Sequence, residues 1–81
     1  MSLQSHIHVI TIFVARGQQE IKLEFNTDRA TGLMIKERAG GSANDGLYRK
    51  VDGHVVEIAD DEVVHLKEHE HFTLVPNGRV S

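Results

Sequence analysis

Residues 7–25 read IHVITIFVARGQQEIKLEF, and this stretch decides the fold. Residues 7–16 are rich in β-branched and aromatic side chains and lack a helical period, which is typical of a strand. A Gly-Gln-Gln turn follows, and residues 20–25 then alternate between apolar and charged side chains. The pattern predicts an N-terminal β-hairpin with one buried face. The side chains expected on that face are Ile10, Ile12, Val14, Ile21, Leu23 and Phe25.

A short helix is predicted after this hairpin. Thr31 has the hydroxyl of an N-cap residue, and residues 32–39 would follow as about two helical turns. Ile35 and Ala39 lie four positions apart and share a face, while residues 36–38 are expected to face water. Two glycines end the helix. Because so short a helix is marginal alone in water, it is expected to pack on the hairpin.

The second half of the chain predicts further strands. Asp52-Gly53 is a dipeptide that favours a two-residue hairpin turn, so residues 47–51 and 54–58 are predicted to pair. An acidic turn over residues 59–62, a short apolar segment and a final strand that ends before Pro76 complete the chain. The last two cover residues 63–66 and 72–75.

This order of elements predicts an α+β fold with one helix packed across a mixed sheet, ββαββ(β). The β-grasp fold is the most economical realisation of that order. In it the first and last strands lie side by side in parallel at the centre of the sheet. The apolar character of both strands agrees with a buried central position.

Length and composition limit the domain organisation. The 81 residues suffice for one domain, which we expect over residues 9–76, with a leader over residues 1–8 and a flexible C-terminal tail over residues 77–81. Cysteine is absent, so disulfide scaffolds are excluded. The start of the chain shows no secretion signal, and no segment is apolar enough to span a membrane. We therefore expect a cytoplasmic protein with no membrane partner.

The charge balance argues against a nucleic-acid partner. Nine Lys and Arg residues stand against twelve Asp and Glu residues, giving a net charge of -3, and the basic residues are scattered. Nucleic-acid binders usually carry a clustered basic surface. No catalytic signature stands out either, so we expect neither enzymatic activity nor a cofactor.

Several short segments carry a family resemblance across roughly residues 9–76. They are Ile12-Phe13-Val14 with residues 21–25, Thr31-Gly32, Ala39-Gly40, residues 61–66 and residues 72–76. The hairpin is similar to the opening of ubiquitin, and the later pattern resembles the bacterial multiubiquitin-type domains of the ubiquitin superfamily. The positions concerned are mostly core and turn positions. The resemblance therefore bears more directly on the fold than on the function.

The resemblance implies a protein modifier. In such proteins an E1-like activating enzyme adenylates a C-terminal glycine, and conjugating enzymes pass it to a protein target. Gly78, preceded by Asn77, is the candidate conjugation terminus here. The family's paired glycines are absent and Arg79-Val80-Ser81 follow, so a processing peptidase would first remove those three residues.

A partner surface is expected next to the third predicted strand. Ubiquitin presents an apolar patch there, whereas residues 48–51 of this chain are more basic and polar. The residues predicted to contact a partner are Tyr48, Lys50 and Val51, with Tyr48 as the apolar anchor. Two other functions remain open, a non-covalent interaction module on the same scaffold and a sulfur carrier. An ordinary solvated sheet face is the alternative to a partner surface.

Six histidines are many for this length. His6 and His8 are spaced two apart, as are His69 and His71, and such a pair lies on one side of a strand. In a β-grasp fold the two pairs would approach one another, so the four imidazoles are weak candidates for Zn²⁺ or Ni²⁺ ligands. The alternatives are a pH response around the histidine pKa of about 6.5 and no special role. We predict no metal, because no fixed loop geometry orients these imidazoles.

Overall fold

The computed structural model describes residues 9–78. Within this range the chain forms seven strands and one helix, with three strands before the helix and four after it. They are β1 (Ile10–Arg16), β2 (Gln19–Phe25), β3 (Arg29–Thr31), α1 (Gly32–Arg38), β4 (Gly46–Val51), β5 (His54–Glu57), β6 (Val63–His65) and β7 (Glu70–Val75).

A five-stranded mixed sheet forms the body of the molecule, in the order β2-β1-β7-β4-β5. Strands β1 and β7 pair in parallel at its centre, with Val14 opposite Phe72, while all other neighbours are antiparallel. One helix packs on this sheet, which gives a β-grasp-like α+β fold. The predicted fold class and the parallel pairing of the first and last strands are both confirmed.

The core lies between the sheet and the helix. Ile10, Ile12 and Val14 are buried from β1, and Leu23 and Phe25 are buried from β2, as the alternation predicts. Ile21 is only partly buried at the far end of the hairpin. The remaining buried apolar side chains are Ala30, Ile35, Ala39, Leu47, Ile58, Val64, Leu66, Phe72 and Leu74.

Helix α1 begins as its sequence predicts. The Thr31 hydroxyl accepts a hydrogen bond from the Met34 amide at 3.2 Å, and Gly40 follows the helix with φ of 85°. The Arg38 guanidinium lies 4.5 Å from the Phe25 ring centre and donates to the Glu24 carbonyl at 2.6 Å. These contacts hold the last turn of the helix against strand β2. Among the described residues no helix is long and apolar enough to cross a membrane.

Lys36 corrects the expectation that residues 36–38 all face water. Its side chain is buried, and Nζ lies 2.5 Å from Asp60 Oδ1 and 3.4 Å from the Ala43 carbonyl oxygen. An ammonium group can occupy such a position only when other groups replace its water shell. Helical periodicity does not reveal a charge pair whose members are distant along the chain.

A second, two-stranded sheet was not predicted. Strands β3 and β6 pair antiparallel, with Ala30 opposite Val64, and both of these side chains are buried. The acidic turn that precedes β6 packs against the start of α1, where the Asp60 and Glu62 carbonyls accept from the Leu33 and Gly32 amides, each at 3.0 Å. The acidic segment therefore supplies hydrogen-bond acceptors to the first amides of the helix, and it also leads into the apolar segment 63–66.

Candidate functional site

The chain leaves the central strand β7 in a tight turn over residues 75–78, here called the C-terminal turn. The Gly78 amide donates to the Val75 carbonyl at 3.0 Å. Asn77 has φ of 55°, a left-handed conformation that asparagine tolerates better than most residues. The candidate conjugation terminus therefore folds back against the sheet.

Asp45 anchors this turn from the end of the loop that follows the helix. Its carboxylate is buried; Oδ1 accepts from the Asn77 amide and Oδ2 from the Ser42 amide, both at 2.9 Å. The hydrogen bond from Asn77 and then that from Ser42 lower the pKa of Asp45 below its usual value, against the opposing effect of burial. Both bonds are stronger to the charged carboxylate than to the neutral acid, so the anchor is strongest when Asp45 is ionised.

Tyr48 holds the other end of the C-terminal turn. Its hydroxyl donates to the Gly78 carbonyl oxygen at 2.7 Å, and the two residues are 30 positions apart along the chain. Gly46 makes this approach possible. A Cβ atom at position 46 would stand 2.5 Å from the Gly78 oxygen and 2.6 Å from Tyr48 Cε1, closer than real Cβ atoms come.

Two residues of the predicted C-terminal tail, which was expected over residues 77–81, therefore have contacts with the domain. Asn77 and Gly78 each have a hydrogen-bond partner on another part of the domain. The physical reason is the short distance in space between the end of β7 and the start of β4, because Val75 lies opposite Gly46 in the sheet. Residues 79–81 lie outside the described part of the chain.

A groove of about 510 Å³ opens on the sheet face opposite the helix. We refer to it as the open-face groove. Tyr48 and Lys50, two of the three predicted partner residues, line it, whereas the half-exposed Val51 lies outside it next to the β4–β5 turn. Its other lining residues are Arg49, Val55, His71, Thr73 and Val75.

The groove combines apolar walls with a positive rim. Val55 is 65% exposed and Val75 is 40% exposed, so both present apolar surface to the groove. Lys50 is exposed beside them, while Arg49 is already paired with Glu70 at 3.4 Å. The sequence did not indicate Val55 or Val75, because their exposure depends on which face of the sheet the helix leaves uncovered.

Two of the four described histidines, His69 and His71, lie next to Phe13 on the same sheet face. The ring of His71 stacks on Phe13 at 5.1 Å between centres, and that of His69 does so at 6.1 Å. Glu20 approaches His71 Nδ1 at 3.5 Å. Within residues 9–78 no three His, Cys, Asp or Glu side chains lie close enough to hold a metal ion. His6 and His8, the other two weak candidates, lie outside the described residues.

Comparison with protein-family models, with curated proteins and with solved structures finds no match for this chain.

Proposed function

We propose that this chain is a ubiquitin-like protein modifier of the bacterial multiubiquitin type, activated through the carboxylate of Gly78 after residues 79–81 have been removed. The observation that supports the proposal best is the location of Gly78, three residues beyond the central strand β7 of a β-grasp-like sheet. Once residues 76–78 extend away from the sheet, a terminal glycine at that location can enter a partner's active site while the domain remains folded.

The proposed chemistry has three steps, which are trimming, adenylation and transfer. Water attacks the Gly78 carbonyl carbon in a peptidase, the bond to the Arg79 nitrogen breaks, and that nitrogen takes a proton. A Gly78 carboxylate oxygen then attacks the α-phosphorus of ATP in an E1-like enzyme, releasing pyrophosphate and leaving an acyl adenylate. Finally a nucleophile attacks the acyl carbon and AMP leaves. When the final acceptor is a target amine, the nitrogen loses its proton and an amide results.

Partner enzymes supply all catalysis in this scheme. The chain contributes a terminus without a side chain, which lets the acyl group approach a nucleotide phosphate closely. It is proposed to need no cofactor and to act in the cytoplasm.

The open-face groove is the proposed contact surface for the activating and conjugating enzymes. Tyr48 offers a rigid aromatic wall, Val55 an exposed apolar contact and Lys50 a positive charge at the rim. A partner segment with an apolar side chain next to a carboxylate would match this combination.

Adenylation is the direct test. The chain ending at Gly78 is incubated with ATP and E1-like adenylating enzymes, and ATP–pyrophosphate exchange and the mass of the Gly78 terminus are measured. The control is a chain ending at Asn77, for which no exchange is expected. If enzymes that are active on their own substrates give no exchange with either chain, the modifier proposal is wrong.

A non-covalent interaction module is the second candidate function. The hydrogen bonds that hold Asn77 and Gly78 on the domain favour it, because a bound terminus is less available for chemistry. Deletion of residues 76–81 distinguishes the two functions. An interaction module retains partner binding after the deletion, whereas a modifier loses conjugation.

A further inference from the structure

Trimming and activation both act on one group, the Gly78 carbonyl. In the uncut chain this carbonyl is the scissile group, and after trimming it becomes the carboxylate that attacks ATP. A peptidase or adenylating enzyme must surround the carbonyl, which requires the preceding residues to extend away from the domain. In the C-terminal turn the backbone instead reverses at Asn77, and the Gly78 oxygen faces Tyr48.

The structure holds the C-terminal turn through two contacts from separate residues of one short segment. Asp45 fixes the Asn77 amide with a charged hydrogen bond, and Tyr48 fixes the Gly78 oxygen. Gly46 lies between them and leaves the space that the Gly78 carbonyl occupies. A hydrogen bond to a charged group is stronger than one between neutral groups, so Asp45 is the stronger of the two contacts.

We propose that Asp45, Gly46 and Tyr48 form an autoinhibitory latch that binds the chain's own C-terminal turn and withholds the Gly78 carbonyl from trimming and activation. The inhibitory role rests on the proposed function, because it requires Gly78 to be the reactive terminus. The latch itself is a property of the folded chain and can be tested without any activating enzyme.

Tyr48 connects the latch to the partner surface. The same side chain donates to Gly78 and lines the open-face groove. A partner that packs on the Tyr48 ring therefore contacts one of the two groups that hold the terminus. This arrangement allows docking of the correct enzyme to release the carbonyl where that enzyme can use it.

Limited trypsin digestion of the full chain tests the latch. Trypsin cleaves after Arg79 and must hold Asn77 and Gly78 extended to do so, so opening of the latch limits release of Val80-Ser81. Tyr48→Phe should accelerate this release about fivefold, and Asp45→Asn about tenfold or more. Asp61→Asn, at an exposed position, removes the same charge and should leave the rate unchanged. Equal rates in all four chains would overturn the proposal.

Amide hydrogen exchange separates opening of the latch from general unfolding. The Asn77 amide should exchange about tenfold faster or more in Asp45→Asn, whereas the amides of β1 should keep their wild-type rates at the same pH. Acceleration of all amides by the same factor would mean that the variant merely destabilises the domain, and it would contradict a local latch. Tyr48→Phe, which removes only one oxygen atom, provides the milder second variant.

Adenylation of chains ending at Gly78 then tests the inhibitory role. Faster adenylation of Tyr48→Phe than of the wild type supports autoinhibition. Equal adenylation of the two chains overturns the inhibitory role and leaves the modifier function intact. Failure of every chain to be adenylated refutes the modifier function and the inhibitory role together, while the trypsin result still establishes whether the turn is held.

Discussion

Asp45 and Asn77, 32 positions apart along the chain, are joined by a hydrogen bond of 2.9 Å from the Asn77 amide to the Asp45 carboxylate. This bond links the loop after α1 to the residues that follow β7. The end of the chain is thereby tied to the segment that leads into β4. Because one partner is a titratable group, the link has a defined pH dependence.

Acid should weaken this link. The folded-state pKa of Asp45 is lowered, so its ionised form stabilises the folded chain fully above the unfolded aspartate pKa of about 3.9. The stabilisation is lost as pH falls through that value towards the folded pKa. Asp45→Asn should therefore reduce the free energy of unfolding most at pH 5–7 and progressively less below about pH 4.

Urea unfolding of the wild type and of Asp45→Asn, from below about pH 4 up to pH 7, measures the difference in their free energies of unfolding. Asp61→Asn, an exposed site in the acidic turn, controls for the change in net charge. A difference between wild type and Asp45→Asn that grows on acidification would contradict the assignment.

Lys36 should contribute more to stability than any exposed lysine. Lys36→Ala removes a buried side chain and leaves Asp60 without its ammonium partner, so we expect a loss of roughly 2–4 kcal/mol in the free energy of unfolding. Lys22→Ala is the matched control, because Lys22 forms only an exposed pair with Glu24 and should change stability by less than about 0.5 kcal/mol. Similar losses in the two variants, measured by chemical denaturation, would show that the buried pair is unimportant.

Gly46→Ala should expel the C-terminal turn. The new Cβ would overlap the Gly78 oxygen and the Tyr48 ring, so the Gly78 amide should lose its protection from hydrogen exchange, and the chain should lose about 1–3 kcal/mol of stability. Gly17→Ala is a useful comparison. An alanine at position 17 would be strained at φ of 61°, but its Cβ would have no atom within 4 Å. This variant should therefore destabilise the domain without affecting Gly78.

The open-face groove should be required for recognition but not for folding. Val55→Ser and Lys50→Glu change exposed side chains, and each should leave the melting temperature nearly unchanged. Each should raise the KM for adenylation by about tenfold or more if the activating enzyme docks in the groove. Lys22→Glu makes the same charge reversal as Lys50→Glu at an exposed site on strand β2 and serves as its control. If Lys50→Glu and Lys22→Glu have equal effects on KM, the groove is not the docking surface.

The hairpin and the helix could be predicted because each rests on a local pattern, and the parallel central strands followed from the β-grasp fold that the order of elements implies. A few consecutive residues suffice to recognise the alternation around Leu23, the N-cap at Thr31 and the Asp52-Gly53 turn. Asp52 and Gly53 do adopt positive φ angles of 52° and 82°, as the turn chemistry requires.

The groups that hold the terminus could not be predicted from local patterns. Asp45 belongs to a small polar segment that is typical of a loop, and its partner Asn77 becomes a neighbour only after the sheet has formed. Burial of Lys36 depends in the same way on a carboxylate that follows β5. The missed strand β3 has only three residues, so its pairing with β6 depends on tertiary contacts more than on propensity.

The parallel pairing of β1 with β7 also has a consequence for biosynthesis. Of the strands that the structure describes, β1 comes first along the chain, and its parallel neighbour β7, the middle strand of the sheet, comes last. The β1–β2 hairpin can form early in synthesis, but β1 must keep one apolar edge unpaired until β7 has been synthesised. Chaperones that bind the nascent chain would therefore be expected to act on β1 rather than on the later strands.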